Sequence, residues 1–190
     1  MPSPRQSPPI EDGPSRPPAP STEVHVWLAA SGAALRVVLS RYLDQSPEEI
    51  ELVSGPHGKP ALAAPHSLEF NLSHSARLAL IAVSAKHPVG VDVESTDRER
   101  DFVALARREL GTDVVAALER AAPADRGPLF YAAWARHEAR SKCHGGGLGG
   151  PPPPGPVAVA DLAVGEGYAA ALAVPGERPP AWRLYRLERD

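Results

Sequence analysis

The sequence predicts an α+β fold with antiparallel sheets and one long helix. Short strand-like runs occur in both halves of the chain, segments with helical spacing lie between them, and the longest helical segment ends in a run of glycines. With 190 residues, the chain is long enough for one domain or for two small lobes that share a core. Each half holds strands and a helix of similar size, which is compatible with a duplicated lobe, although no sequence repeat supports it.

The N-terminal stretch differs in composition from the rest of the chain. Residues 1–22 are rich in Pro and Ser and contain almost no large apolar side chains. Such a segment cannot offset the entropy cost of ordering, so we expect a disordered tail. Residues 23–190 then form the folded domain, with expected lobes at about 23–93 and 94–190.

The first half reads as strands around one amphipathic helix. Val24–Ala29 predicts a strand, and the apolar spacing after it predicts a helix from near Gly32 to near Asp44. Glycines and prolines in residues 55–60 predict a turn that places Lys59 on a loop. Further strands are predicted at 50–53, 68–72, 78–84 and 89–94, and the tight connection between the last two predicts an antiparallel hairpin.

The second half reads as three helices followed by three strands. Helical spacing covers residues 98–110 and 112–121, and a longer helix is predicted from Gly127 or Pro128 to Cys143. Gly145 and the glycines after it end this helix, because glycine lets the chain leave the helical conformation. A Gly/Pro-rich loop over residues 149–156 leads to strand-like runs between Val157 and Leu187.

Charge and cysteine content limit the class of protein. The formal net charge of −3 and a pI near 6.2 give no reason to expect a nucleic-acid or membrane partner, since both favour a basic surface. The single cysteine, Cys143, excludes an intrachain disulfide. Neither a secretory signal nor an apolar run of membrane-spanning length is recognisable, so a cytoplasmic protein is expected.

Two carboxylates share one face of the predicted strand at residues 89–94. The valines alternate with Gly90, Asp92 and Glu94, so one face is buried and both carboxylates point out of the other. Paired carboxylates suit Mg²⁺, which binds one or two of them together with waters and phosphates. By itself the triplet is better explained as a solvated strand face.

Two other segments carry polar side chains of chemical interest. On the long helix, Glu138 and Lys142 are four residues apart and share a face, although an ordinary surface ion pair explains this spacing equally well. His74 follows a short apolar strand between Ser73 and Ser75, whose hydroxyls can bind phosphate oxygens. A lone histidine in such a place is usually structural.

The same residues do not fit two common kinds of site. No elbow motif surrounds Ser73 and His74, so they do not indicate a hydrolase triad. Cys143, His144 and His137 lack the second cysteine or histidine pair that would complete a zinc site.

Four segments, taken together, resemble in order and spacing the motifs of Sfp-type 4′-phosphopantetheinyl transferases. They are Gly58-Lys59-Pro60, Phe70–Ser75, Gly90–Glu94, and Trp134–Ala139 with Lys142 and residues 145–148. The resemblance covers about residues 24–148. It implies two similar α/β lobes in a pseudo-twofold arrangement. It also implies a magnesium-dependent enzyme that transfers the 4′-phosphopantetheine moiety of coenzyme A to a serine of an acyl or peptidyl carrier protein, releasing adenosine 3′,5′-bisphosphate.

The resemblance also implies a role for each matching residue. Mg²⁺ would be held by Asp92, Glu94 and Glu138 and would bridge to the coenzyme A pyrophosphate. His74 and Lys142 would contact coenzyme A phosphates, and Lys59 would lie near the nucleotide end. Ser73 and His137 are assigned to the same coenzyme A site. The catalytic set would be Glu138, Asp92, Lys142 and His74, with Glu138 accepting the serine proton directly or through a metal-bound water.

The sequence departs from the family pattern in two places. The family usually has Lys before the helix glutamate, whereas His137 makes that charge titratable, so we expect weaker phosphate binding above neutral pH. Between the strand Val24–Ala29 and the helix near Gly32, the family's longer basic segment is almost absent. Part of the usual coenzyme A phosphate-binding surface would therefore be missing.

Three functions remain open at this point. Transfer is favoured, because a chain freed from catalysis has no chemical reason to keep three carboxylates and Lys142 together. A degenerate homologue would bind coenzyme A or carrier protein without transfer, and a magnesium-dependent phosphohydrolase could use the same carboxylates. Carrier protein is expected on Arg107, Arg108 and Arg136, although solvated surface arginines explain these residues as well. A monomer suffices if one chain supplies both lobes.

Overall fold

The protein is described here from a computed structural model that covers residues 7–30, 34–55, 58–63, 68–145 and 155–188. The α+β class expected from the sequence is confirmed. The strands are β1 (Ile10–Asp12), β2 (Glu23–Ala29), β3 (Leu52–Ser54), β4 (Pro60–Leu62), β5 (Glu69–Ser75), β6 (Leu78–Ser84), β7 (Gly90–Ser95), β8 (Val157–Asp161), β9 (Tyr168–Pro175) and β10 (Ala181–Arg186). The helices are α1 (Leu35–Ser40), α2 (Phe102–Glu109), α3 (Thr112–Arg120) and α4 (Pro123–Cys143).

Two main sheets organise the fold. The first sheet has the strand order β1-β10-β2-β6-β5, and the second sheet has the order β7-β9-β8. β3 and β4 form a separate two-stranded sheet, whose Leu52 and Leu62 pack against the core around Trp27. Most neighbours are antiparallel, but β10 runs parallel to both β1 and β2. The sheet architecture is therefore mainly, though not wholly, antiparallel.

The first sheet is covered on both of its faces. Val26 and Leu80 belong to a core that it shares with Val91 and Leu172 of the second sheet. On the opposite face, Trp27 and the residues near it pack against the apolar side of α1. Burial on both faces explains why β6 reads as an almost unbroken apolar run, as central strands of covered sheets do.

Helix α4 covers the outer face of the second sheet. Proline at position 123 suits its first turn, because the N–H that proline lacks would have no partner there, and the helix begins four residues before the predicted start at 127. Ala135, Ala139 and Cys143 pack against small residues of β9. These short side chains let the helix lie close to the sheet. Residues 146–154, which include most of the predicted helix-ending glycines and loop, lie outside the described residues.

The predicted hairpin of residues 78–84 and 89–94 is wrong. β6 pairs with β2 and β5, whereas β7 pairs with β9 in the other sheet. The short connection carries the chain from one sheet to the next, since the valines of β7 complete the core between them. Sheet membership also crosses the expected lobe boundary, because β10 returns from the C-terminal part of the chain to the first sheet.

Within the stretch where a disordered tail was expected, the described residues 7–22 include a strand and buried prolines. β1 pairs with β10, and Pro17 and Pro20 are buried. The Arg41 guanidinium donates to the backbone carbonyls of Gly13 and Pro14 at 3.0 and 2.9 Å. Composition predicts burial of apolar side chains and misses order of this kind, which rests on backbone groups. Among the described helices, none combines the length and the apolar character needed to cross a membrane.

Candidate active site

β7 places the two predicted strand carboxylates on its outer face. Val91 and Val93 point into the core between the sheets, so Asp92 and Glu94 point the other way, toward α4. Asp92 is only 2% exposed, whereas Glu94 is half-buried. The alternation predicted from the sequence is therefore present, but α4 covers the face it defines, so that Asp92 is buried there and Glu94 is half-buried.

Helix α4 brings the other two predicted residues to the same place. Glu138 is 9% exposed and lies on the buried face of the helix with Ala135 and Ala139. One turn later, the Lys142 ammonium lies 2.6 Å from Asp92 Oδ1. The helix and the strand thus bring the pair Glu138 and Lys142 toward the pair Asp92 and Glu94, which is more than 40 residues earlier in the sequence.

Gly90 determines how closely α4 approaches β7. A Cβ atom at this position would lie 2.0 Å from the backbone oxygen of Ala139 and 2.4 Å from the backbone nitrogen of Cys143. Both are helix backbone atoms, which cannot move away as the end of a side chain can. The absence of a side chain at Gly90 is what lets the last turns of α4 rest on the strand that carries Asp92.

A triangle of hydrogen bonds surrounds one oxygen of Asp92. Ser73 Oγ donates to Asp92 Oδ1 at 2.7 Å, and Lys142 Nζ donates both to that oxygen and, at 3.0 Å, to Ser73 Oγ. The other oxygen, Asp92 Oδ2, is buried and has no partner within the described part of the chain. A buried carboxylate oxygen without a donor is costly, so this atom is suited to a positively charged ligand.

The electrostatics of the three carboxylates point the same way. Burial raises the pKa of Asp92, and the hydrogen bonds and charge of Lys142 offset only part of that rise. Burial, followed by the negative charge of Asp92, raises the pKa of Glu94 and of Glu138. The carboxylates therefore repel one another in a poorly solvated place, and a divalent cation would relieve that repulsion.

The carboxylates of Asp92, Glu94 and Glu138 are the type of ligand that Mg²⁺ prefers, but the distances between them are less suitable. Oxygen donors from carboxylates are what this ion prefers, and Asp92 Oδ2 offers a free one. However, among the residues that the structure describes, no three His, Cys, Asp or Glu side chains are grouped tightly enough to hold an ion. Lys142 already donates a hydrogen bond to Asp92 Oδ1. The three carboxylates are therefore not preorganised as a complete set of metal ligands.

The polar residues Ser73 and His74 of β5 point to opposite sides of the strand. Ser73 is buried and bonded to Asp92, so its hydroxyl is directed into the protein. Alternation along the strand places His74 on the opposite side, where it is exposed. Sequence reasoning missed Asn71 as a partner of β7, although the period-two spacing of Asn71, Ser73 and Ser75 was the available signal.

Lys59 is held by backbone carbonyls. Its ammonium donates to the carbonyl oxygen of Val89 at 3.1 Å and to that of Lys142 at 3.0 Å, the latter at the end of α4. Burial lowers its pKa. The same side chain borders a cavity of about 200 Å³ that Lys142 and Leu72 also line. Lys59 therefore ties the loop before β4 to the two elements that carry the carboxylates.

Replacing Lys59 with methionine is expected to lower the melting temperature. The loss leaves two carbonyl groups without their donor and removes a cation from the C-terminal end of α4, which we expect to destabilise the fold by about 1–3 kcal/mol. Thermal unfolding followed by circular dichroism measures the effect. The matched control is Lys86→Met, because the Lys86 side chain is exposed. Equal melting temperatures for the two variants would show that the Lys59 bonds do not stabilise the protein.

The contacts of His137 and of the three candidate arginines are with other side chains than Asp92, Glu94 and Glu138. His137 is half-buried, with its ring 6.3 Å from that of Trp134. The three arginines expected to form a basic surface are each paired with an acidic side chain: Arg107 with Glu119, Arg108 with Glu109, and Arg136 with Asp161. Local neutralisation of these charges argues against a basic patch built from them.

Comparison with known proteins identifies the family. Residues 88–188, which include β7 and α4, match the family described as the 4′-phosphopantetheinyl transferase superfamily. The chain is 37% identical over 117 residues to the 4′-phosphopantetheinyl transferase AcpT of Salmonella typhimurium, covering 62% of this chain and 59% of the relative. It is 32% identical over 122 residues to the 4′-phosphopantetheinyl transferase HetI of Nostoc, covering 63% and 52%.

The similarity extends over part of each relative. A further relative, AcpT of Escherichia coli K12, is 32% identical over 120 residues, which are 63% of this chain and 57% of that protein. The chain thus spans little more than half the length of these curated relatives. The family match nevertheless covers more than half of this chain and contains Asp92, Glu94, Glu138 and Lys142. On this evidence, the chain belongs to the 4′-phosphopantetheinyl transferase superfamily.

Proposed function

We propose that this protein transfers the 4′-phosphopantetheine moiety of coenzyme A to a serine of an acyl or peptidyl carrier protein, with Mg²⁺ as cofactor and adenosine 3′,5′-bisphosphate as the second product. The observation that carries the proposal is the meeting of α4 and β7. It places Glu138 and Lys142 over the strand of Asp92 and Glu94, inside the segment that matches the family. The two relatives are each named a 4′-phosphopantetheinyl transferase.

The chemistry requires a bond to form between the serine oxygen and the β-phosphorus of coenzyme A, while the bond from that phosphorus to the adenosine bisphosphate breaks. When bound, Mg²⁺ would supply positive charge beside the pyrophosphate and so stabilise the negative charge that develops there. Asp92, Glu94 and Glu138 are the residues that would hold it. Asp92 Oδ2, which has no donor among the described residues, is the oxygen best placed for this purpose.

Two side chains would act on the reacting groups. Lys142, 29% exposed and bonded to Asp92 in this structure, would donate to phosphate oxygens and help neutralise the leaving group. Glu138 would accept the proton that the serine hydroxyl loses. In the metal-free protein its pKa is raised by burial and by the neighbouring Asp92 charge. The proton thus passes to Glu138 as the new phosphate ester forms.

A homologue that binds coenzyme A or carrier protein without transfer is the second candidate. One observation favours it: only five residues separate β2 from α1, where the family resemblance implies a longer basic segment. In that case the carboxylates and Lys142 would persist as a structural cluster that no longer supports turnover.

Intact-mass spectrometry of carrier proteins distinguishes these functions. Apo forms of fatty-acid, polyketide and nonribosomal-peptide carrier proteins are incubated with the protein, coenzyme A and Mg²⁺. We expect at least one of them to gain the mass of one phosphopantetheine. The gain should disappear when a chelator is added, and it should be lost with Asp92→Asn, which keeps the size of the side chain but removes its charge.

Other outcomes would contradict the proposal in distinct ways. Coenzyme A binding without any gain of mass across the three carrier classes would indicate the non-catalytic homologue. Release of pantetheine phosphate in the absence of an acceptor would indicate a phosphohydrolase. A gain of mass that persists at full rate in Asp92→Asn would leave the transferase in place but refute the role of this carboxylate.

A further inference from the structure

The edges of the two main sheets meet where β5 lies beside β7. β5 is the last strand of the first sheet, and β7 is an edge strand of the second. Both strands are fully described, and they share no backbone pairing. In its place, side chains of β5 accept the backbone N–H groups of β7: Asn71 Oδ1 accepts from Val91 at 2.8 Å, Ser73 Oγ from Val93 at 3.4 Å, and Ser75 Oγ from Ser95 at 2.9 Å.

This side-chain seam solves a general problem of sheet edges. An unpaired edge leaves every second N–H without a partner, and buried N–H groups need one. Asn71, Ser73 and Ser75 are two residues apart, so they lie on one side of β5 and match the spacing of the N–H groups on β7. Two of these three residues have a hydroxyl, which can donate as well as accept.

The direction of the Ser73 hydroxyl hydrogen follows from the three groups that the hydroxyl contacts. The Ser73 hydroxyl contacts the Lys142 ammonium, the Val93 N–H and Asp92 Oδ1. The first two can only donate, so they use both lone pairs of the hydroxyl oxygen. The single hydroxyl hydrogen must then point to Asp92 Oδ1. Ser73 therefore has every bonding position filled, and its orientation is fixed.

Ser75 repeats the arrangement one step along the strand. Its hydroxyl oxygen accepts from the Ser95 N–H, and its hydrogen is directed to Glu94 Oε2 at 3.4 Å. Asn71 takes part in the seam through its bond to the Val91 N–H, and within the described residues it makes no hydrogen bond to a carboxylate. The seam thus contains two residues that reach the candidate metal ligands and one that does not.

We infer that Ser73 and Ser75 are positioning residues that set the orientation of the Asp92 and Glu94 carboxylates for a divalent cation. This inference rests on the proposed function. Ser73 and Lys142 together engage Asp92 Oδ1, which leaves Oδ2 as the oxygen without a donor. Ser73 therefore selects which oxygen the carboxylate presents.

Binding of Mn²⁺ in the presence of coenzyme A, followed by the electron paramagnetic resonance signal of the free ion, tests the inference. Ser73→Ala is expected to lower the affinity for Mn²⁺ by about 10- to 100-fold, the usual cost of losing a hydrogen bond to a metal ligand. Ser73→Thr, which keeps the hydroxyl, should restore most of it. Ser75→Ala should also lower the affinity for Mn²⁺, but by a smaller factor, because Ser75 is less buried than Ser73.

Asn71→Ala is the matched control, because it breaks the seam without touching a carboxylate. It should lower the melting temperature, as the serine variants do, but leave the Mn²⁺ affinity at the wild-type value. Wild-type affinity in both Ser73→Ala and Ser75→Ala would refute the positioning role alone. A wild-type protein that binds no Mn²⁺ would refute the metal-dependent function and the positioning role together.

Discussion

Replacing Glu138 with glutamine is expected to lower phosphopantetheine transfer by about 10²- to 10⁴-fold, the range typical for the loss of a general base. Glutamine has nearly the same shape, so α4 should stay in place over β7. What is lost is the negative charge and the ability to accept a proton. The measurement is the rate at which an apo carrier protein gains mass, compared at saturating coenzyme A. Glu166→Gln, in an exposed turn, is the matched control for the same chemical change.

The same substitution is expected to raise the melting temperature of the metal-free protein. The pKa of Glu138 is raised by burial and by the charges of Asp92 and Glu94, so the ionised carboxylate costs stability at neutral pH. Glutamine imitates the protonated form and removes this cost. The gain in stability should shrink as the pH falls toward the ordinary glutamate pKa of 4.5, because the wild-type carboxylate then takes up a proton and loses its charge as well.

Thermal unfolding at several pH values measures this effect. Added Mg²⁺ should raise the melting temperature of the wild type more than that of Glu138→Gln, since only the wild type keeps all three carboxylates. A Glu138→Gln variant that is less stable than wild type at pH 8 would show that Glu138 stabilises the fold. It would argue against repulsion among the three carboxylates in the metal-free protein.

Replacing Gly90 with alanine is expected to destabilise the protein and to abolish transfer. The added Cβ would lie 2.0 Å from a carbonyl oxygen of α4, so the helix must move away from β7. Overpacking of this kind costs about 1–3 kcal/mol. Displacement of the helix also separates Glu138 and Lys142 from Asp92, so the loss of activity should exceed what the unfolded fraction explains.

Activity per folded molecule, measured at a temperature well below unfolding, separates the two effects. Gly155→Ala is the control, because a Cβ at that position meets no heavy atom within 4 Å. A Gly90→Ala variant with the melting temperature and the transfer rate of the wild type would show that the contact between α4 and β7 does not position the site.

The sequence by itself determined the local elements and the chemistry they carry. The apolar run of β6 and the three C-terminal strands were predicted from periodicity and are confirmed. Alternation in β7 placed Asp92 and Glu94 on one face, and the four-residue spacing in α4 placed Glu138 and Lys142 together. These features depend only on the repeat of a strand or a helix, which neighbouring residues define.

Only the tertiary structure decided what these faces meet. It placed β7 in a different sheet from β6, paired β1 with β10, turned Ser73 toward Asp92, and directed the Lys59 ammonium to the end of α4. Each of these contacts joins residues that are distant in sequence or belong to different sheets. Local periodicity tells which side of an element is buried, whereas the partner depends on how all the buried surfaces and backbone groups are satisfied together.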